Sequence, residues 1–202
     1  MSSEVVLSSG NNGRPRERAD AARNRARVLA AAEQLFALAG GAAGVTMEDI
    51  ARAAGVGRAT LYRRYPDPTS IAQALLDSHE AELQGRIMTG PPPLGPGAPP
   101  ADRLAAFYRA MTELLERHLH LVLGAETGRA RFRTGVYSFW RRHVEVLLQS
   151  GPPPHPSALV DALMAPLAPE VYEYQRKVRG LTPEQIAEAL ALLAGRVLVA
   201  GR

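Results

Sequence analysis

The sequence predicts an all-α fold. Apolar residues recur at spacings of three and four over most of the 202 residues, and no convincing period-2 alternation occurs. Leucine and alanine supply much of the 46% hydrophobic content, while aromatic residues stay at 5%. The spacing marks one-faced helices, and the composition favours helix over strands, which prefer β-branched and aromatic side chains. The length suits one or two compact modules. Cysteine is absent, which removes disulfide scaffolds, thiolate metal sites and cysteine nucleophiles. The start holds only Val5-Val6-Leu7 as an apolar run, short of the ~7–15 residues of a secretory core. No stretch approaches the ~18 residues of a membrane helix. A cytoplasmic protein is expected.

Four segments follow from composition. Residues 1–18, rich in Gly, Ser, Asn and Arg, read as a disordered arginine-containing arm. Residues 19–84 are densely helical in pattern. Residues 85–100 read as a linker, because 89–100 alone holds six prolines and three glycines, which no helix interior tolerates. Residues 101–202 resume helical spacing.

The first helix is expected over 20–39, with Asp20 as N-cap, Val28, Ala32, Leu35, Phe36 and Ala39 inward, and Gly40-Gly41 as the stop. In the second, Thr46 caps, Asp49 completes a capping-box variant, and Met47, Ile50, Ala51 and Ala54 form the buried stripe. Gly55 suits the left-handed residue that ends it. A third short helix over 57–65 stops at Pro66. Two short helices joined by a glycine-containing turn make a helix-turn-helix.

Along the third helix Leu61 and Tyr65 share the inward face. At roughly 100° per residue, Ala59 and Arg63 fall opposite, flanked by Thr60 and Tyr62. No carboxylate lies between residues 55 and 65. A small residue beside an arginine suits a major groove, where Arg grips guanine O6 and N7. Arg58 lies in the first turn, and Thr60 suits a base edge or a thymine methyl. Tyr62 and Arg64 are placed for phosphates, and Thr46 with the second helix's free amides for another. The cationic side chains are nearly all arginine, Lys177 being the only lysine. The bland alternative is a solvated face with incidental arginines. The arm arginines Arg14, Arg16 and Arg18 serve DNA or solubility equally well, and Arg23 and Arg27 on the first helix lean toward DNA.

The run TMEDIARAAGVGRATLYRRYPD, residues 46–67, resembles the TetR/AcrR family of bacterial transcriptional regulators. The upstream helix extends the likeness to about 45 positions. The resemblance implies a three-helix DNA-binding head, a connecting helix, and an all-α body that binds ligand and dimerises. Two positions depart: Pro68 replaces a common backbone-contacting lysine, and Ala42 a common aromatic.

The connecting helix is expected over 68–85, with Ile71, Ala74, Leu75, Ser78 and Ala81 or Glu82 as its stripe. A body helix from Asp102 carries Leu104, Phe107, Tyr108, Met111 and Leu114-Leu115. Another over 129–149 carries Phe132, Val136, Phe139, Trp140, Val144, Leu147 and Leu148. If these two face each other, Phe107, Tyr108, Met111, His118, Tyr137, Trp140 and His143 frame a pocket, which the resemblance implies is for a small apolar effector. From the pattern alone, an ordinary packed core is the better reading of any single one of these residues.

The helix over 184–200 is apolar nearly all round, with Ile186, Leu190, Leu193 and Val197 on one stripe, and so needs two coverings. A second copy supplies one, alongside Leu159 and Leu163 of a helix over 157–179 that Pro166 and Pro169 kink or split. A twofold pair implies a palindromic operator. The expected function is thus an effector-released repressor binding DNA as a homodimer. The alternative keeps the helix-turn-helix but acts through protein partners without an effector. The chain shows no G-x-S-x-G, H-E-x-x-H, G-x-G-x-x-G or Walker loop. His118 and His120 point apart on a helix, a poor metal pair. No catalysis, no cofactor and no metal are expected.

Overall fold

The computed structural model describes residues 13–125, 135–151 and 155–198. Among them every regular element is helical. The chain divides into two compact units, Met1–Leu75 and Leu76–Arg202.

In the first unit α1 spans Gly13–Ala39, starting earlier than the expected 20. Arginine, alanine and glutamate are strong helix formers, and Pro15 falls in the first turn, where its missing N–H is harmless. The expected arm over 1–18 is corrected accordingly: positions 14, 16 and 18 lie in helix, Arg18 is exposed, and residues 1–12 lie outside the described residues. Asp20 is no cap but sits inside α1, paired with Arg23 one turn on. Val28, Leu29, Ala32 and Phe36 turn inward. Gly40, at φ 70°, ends the helix.

Helix α2 (Met47–Ala54) opens with a complete capping box. Asp49 N donates to Thr46 Oγ1 at 3.2 Å and Thr46 N donates to Asp49 Oδ2 at 3.3 Å. Gly55 ends it at φ 61°, ψ 40°, a left-handed geometry that any side chain strains. Met47, Ile50, Ala51 and Ala54 are buried as the pattern requires. Thr46→Ala is expected to cost about 1 kcal/mol of head stability, the usual worth of such a cap. Urea unfolding checks it, and an unchanged midpoint would show the box to be decorative. Helix α3 (Arg58–Arg64) follows after the turn, with Leu61 and the capping Tyr65 buried.

Helix α4 (Pro68–Thr89) begins in the first unit and ends in the second. Ile71 and Leu75 are inward, but the stripe then follows Leu76, Leu83 and Ile87, carrying Glu80 inward and leaving Ala81 and Glu82 exposed. The larger apolar residues decide the rotation. Segment 85–100 is therefore not the expected linker between units. Its start is helix, and beyond Thr89 it turns back within the second unit with Leu94 buried. There Gly95 comes so close to Gly90 that a Cβ would lie 1.8 Å from its carbonyl oxygen.

The second unit is organised on α5 (Pro100–Ala125), which packs chiefly against α9 (Pro183–Leu198) and also against α6 (Gly135–Gln149) and α8 (Pro169–Glu173). Its core takes Leu104, Phe107 and Tyr108 from α5, Val144, Leu147 and Leu148 from α6, and Val160 and Leu163 from α7 (Pro156–Met164). Phe132, expected on the α6 stripe, lies outside the described residues. The prolines split the expected 157–179 helix: α7, a 3-10 turn at Ala165–Leu167, α8, then a π-turn at Tyr174–Val178. The π-turn is held by Arg176, whose Nε and Nη2 donate to Glu116 of α5 at 2.8 and 2.7 Å. Tyr172 OH donates to the same carboxylate at 2.6 Å.

Candidate nucleic-acid interface

The capping box and Gly55 fix where α2 stops, so the three-residue turn delivers α3 with Leu61 and Tyr65 against the head's core. The other faces of α3 are then set by the helical period. On one flank, Tyr62 OH donates to Glu48 Oε1 of α2 at 3.4 Å, and Arg58 Nη1 lies 3.8 Å from the same oxygen. On the other flank, Thr60, Arg63 and Arg64 meet Asp20, Asn24 and Arg25 of α1 along a groove of about 460 Å³. Opposite the core stand Ala59 and Arg63, both exposed.

This arrangement assembles Arg58, Ala59, Thr60, Tyr62, Arg63 and Arg64 on one exposed helix surface. It also adds what the sequence reading missed. Glu48 engages Arg58 and Tyr62, leaving Arg63 as the guanidinium at the outward pole. The Thr46 hydroxyl is not free for a phosphate, because it donates to Asp49 Oδ2 at 2.6 Å. That bond, with Thr46's backbone bond and nearby Arg52, holds the Asp49 carboxyl below the usual carboxylate range. The α2 N-terminus thus carries Glu48 and Asp49, which oppose a phosphate there. The signal for Glu48 was the i, i+14 relation to Tyr62, invisible without the turn geometry.

The body's interior separates the expected effector residues. Met111, Tyr137 and Trp140 line one small cavity of about 30 Å³, with Glu80 as the charged residue in its wall. That volume holds about one water. Phe107, Tyr108, His118 and His143 do not line it. Phe107 packs at 6.0 Å from Trp140 and edge-on at 5.2 Å to His143. Tyr108 OH donates to Leu163 O at 3.1 Å, and burial raises its pKa well above the usual. His118, at a kink in α5 (φ −127°, ψ 16°), shares a hydrogen bond of 2.7 Å with His79 of α4. All four are buried in the core, and His143 Nε2 is left there without a hydrogen-bond partner.

Burial pushes His118 down to about 4, helped by His79, Arg117 and His120, and it pushes His143 down to about 4, helped by Arg103. Both rings stay neutral when folded but take a proton near 6.5 when unfolded. Their stabilisation is therefore complete above about pH 6.5 and is lost as the pH falls toward 4. Thermal melts followed by Trp140 fluorescence should show Tm dropping across that window, above the range where the lowered carboxylates Asp49, Glu116 and Glu145 titrate. A flat profile from pH 7 to 4.5 would refute it.

The expected dimer stripe also changes. Leu163, Ile186 and Leu190 are buried in the chain's own core, and Leu159 and Val197 are half-buried. On α9 the inward line runs Ile186, Leu190, Ala194, Leu198, because α5 takes the i, i+4, i+8 face. Leu193 remains exposed. Apolar surface is instead offered by Leu192 on α9 and by Val171, Tyr174 and Val178 on α8 and the π-turn.

Comparison with known proteins bears on the head and on the fold. The family model of bacterial regulatory proteins of the tetR family matches residues 28–75. Uncharacterized HTH-type transcriptional regulators of Mycobacterium tuberculosis and Mycobacterium bovis are each 54% identical over 39 residues, 19% of this chain and 21% of theirs. The match thus spans about a fifth of the length of these relatives. A TetR/AcrR-family regulator of Thermobifida fusca shares the fold with a TM-score of 0.62 at 17% identity, over 88% of this chain and 98% of its own. NalD, the secondary repressor of the MexAB-OprM multidrug efflux pump of Pseudomonas aeruginosa, does so at 0.53 and 24%, over 89% and 98%. FadR of Bacillus subtilis, solved with stearoyl-CoA, gives 0.58 and 13%, over 85% and 98%. Residues 28–75, which hold the helix-turn-helix, thus match the tetR family of bacterial regulatory proteins, and the chain shares its fold with a TetR/AcrR-family regulator.

Proposed function

We propose that the protein is a cytoplasmic repressor that grips a palindromic operator as a homodimer and lets go when a small apolar effector enters the body. The observation that carries the DNA side is the outward pole of α3, where Ala59 and Arg63 stand exposed, with Arg63 in no ion pair among the described residues. No helix among the described residues is long and apolar enough to cross a membrane, which agrees with a DNA-bound protein. A twofold axis would place two copies of α3 on successive major-groove turns, roughly 34–36 Å apart. The exposed Leu192 and Val178 offer the apolar surface a partner copy would cover.

Duplexes selected from a random pool by the purified protein test this reading. A palindrome bound at two chains per duplex, with affinity falling steeply as salt rises, is the expected result. Equal grip on random DNA, or a monomer in sedimentation, rejects it. Leu192→Glu should break the pair.

One observation favours the second reading, a regulator with no small effector: the cavity of about 30 Å³ is far below the ~300–1,000 Å³ of ordinary ligand sites. An effector would have to open the core around Trp140. A compound screen read by loss of operator binding separates the two, since only the first reading gives hits that also shift Trp140 fluorescence.

A further inference from the structure

The one ligand-sized concavity among those described lies not in the body but in the head, between α1 and α3. Its floor is apolar, from Val28, Val56 and Leu61, and ends at Tyr65. Tyr65 is only 5% exposed, and its hydroxyl is buried with no hydrogen-bond partner. A phenylalanine would fill the same space without that unmet donor, so packing does not account for the oxygen. Arg25, Arg63 and Arg64 also line the groove, none in an ion pair among the described residues. Arg64 sits with its guanidinium carbon 5.9 Å from the centre of the Tyr65 ring. The groove's one carboxylate, Asp20, is engaged by Arg23. Asn24 accepts from Arg27 at 2.7 Å through Oδ1, which leaves its NH₂ donors.

We propose that this groove is a phosphate seat, with Arg25 and Arg64 as its cationic grips and the Tyr65 hydroxyl as its deep donor. Several guanidinium forks lining one groove suit a group with three or four oxygens better than a carboxylate with two. The apolar floor and the surplus volume suit the sugar beside a phosphate. The placement also fits α3 in a major groove about 12 Å wide, whose two walls are sugar–phosphate backbone. The α2 flank of the helix is closed to anions by Glu48 and Asp49, so the α1 flank is where a wall is gripped. The operator version of this seat rests on the DNA-binding reading above. The same phosphate chemistry on a free nucleotide does not, and a nucleotide so bound would exclude DNA directly.

Arg25→Ala, Tyr65→Phe and Asp20→Asn distinguish the sources. Each is measured for binding to selected and random duplexes over a salt series, and for thermal shift with inorganic phosphate and a nucleoside monophosphate. With the seat on the duplex backbone, Arg25→Ala weakens both duplexes alike, about tenfold, and lowers the salt slope by about one. Tyr65→Phe weakens them less while leaving Tm unchanged or higher, and Asp20→Asn tightens them. With the seat for a free nucleotide, the monophosphate raises Tm in the wild type and not in Arg25→Ala, whereas duplex binding is indifferent to the substitution. If neither duplex affinity nor the anion-induced shift responds to Arg25→Ala, the seat is wrong. If the wild type binds no duplex at all, the regulatory reading fails, and the thermal-shift arm alone decides the seat.

Discussion

Arg63→Ala is expected to weaken binding to the selected operator by about 1–3 kcal/mol, roughly five- to 150-fold, while random duplex loses much less. The asymmetry follows from the position of Arg63 on α3. Arg58 is drawn to Glu48 at 3.8 Å, Arg64 lies beside the Tyr65 ring, and Arg63 is left beside exposed Ala59 at the pole opposite Leu61. Ala59 lets the backbone come close to the groove floor, and a bidentate guanidinium then meets guanine O6 and N7. Arg63→Lys keeps the charge but loses the fork, so it should retain affinity for random DNA and lose discrimination. Fluorescence anisotropy on operator and single-base variants gives the answer. If discrimination survives Arg63→Ala, base reading belongs to another residue and the assignment is wrong.

Phe107→Ala should unfold the body more readily by about 3–5 kcal/mol, the range for deleting a fully buried ring. Phe107 has no exposed surface, and its ring sits 6.1 Å from Tyr108 and 6.0 Å from Trp140. It lies where α5 meets α6, and the hydrogen-bonded Tyr108 beside it cannot slide in to fill the void. That loss is a large part of the ~5–15 kcal/mol that holds a typical domain. Phe107→Leu keeps most of the volume and should cost far less. Trp140, the single tryptophan, reports the transition in urea. A midpoint shift no larger for alanine than for leucine would show that the ring is not a keystone. An effector contact at 107 predicts the reverse pattern: normal stability and an altered response to ligand.

The head was legible residue by residue. Its elements are short, and each boundary is set by local chemistry: the Thr46–Asp49 box, the left-handed Gly55, the stop at Pro66. Helical phase alone then put Leu61 and Tyr65 inside and Ala59 and Arg63 outside. The first helix was misjudged because Asp20 looks like a cap in isolation, whereas arginine and alanine carry the helix back to Gly13. The body was legible as helices but not as a site. Which face of α9 turns inward depends on α5, a partner that periodicity does not name, so the line through Leu193 and Val197 gave way to Ala194 and Leu198. The aromatic residues near 107 and 140 announce a core and a pocket in the same words. Only the positions of Tyr108 and His118, tied to Leu163 and His79, separate the two. Asn24, Arg25 and Glu48 went unremarked because their significance lies across a helix pair.

The cations of the head are all arginine, and the chain's only side-chain amine is Lys177, on the π-turn and held by Glu173 at 2.7 Å. An acetyltransferase, which silences charge by capping amines, therefore finds no side-chain substrate on the exposed faces of α3. For the experimenter the same scarcity is a convenience. An amine-directed dye finds Lys177 as its one side-chain target and leaves every guanidinium of the head untouched.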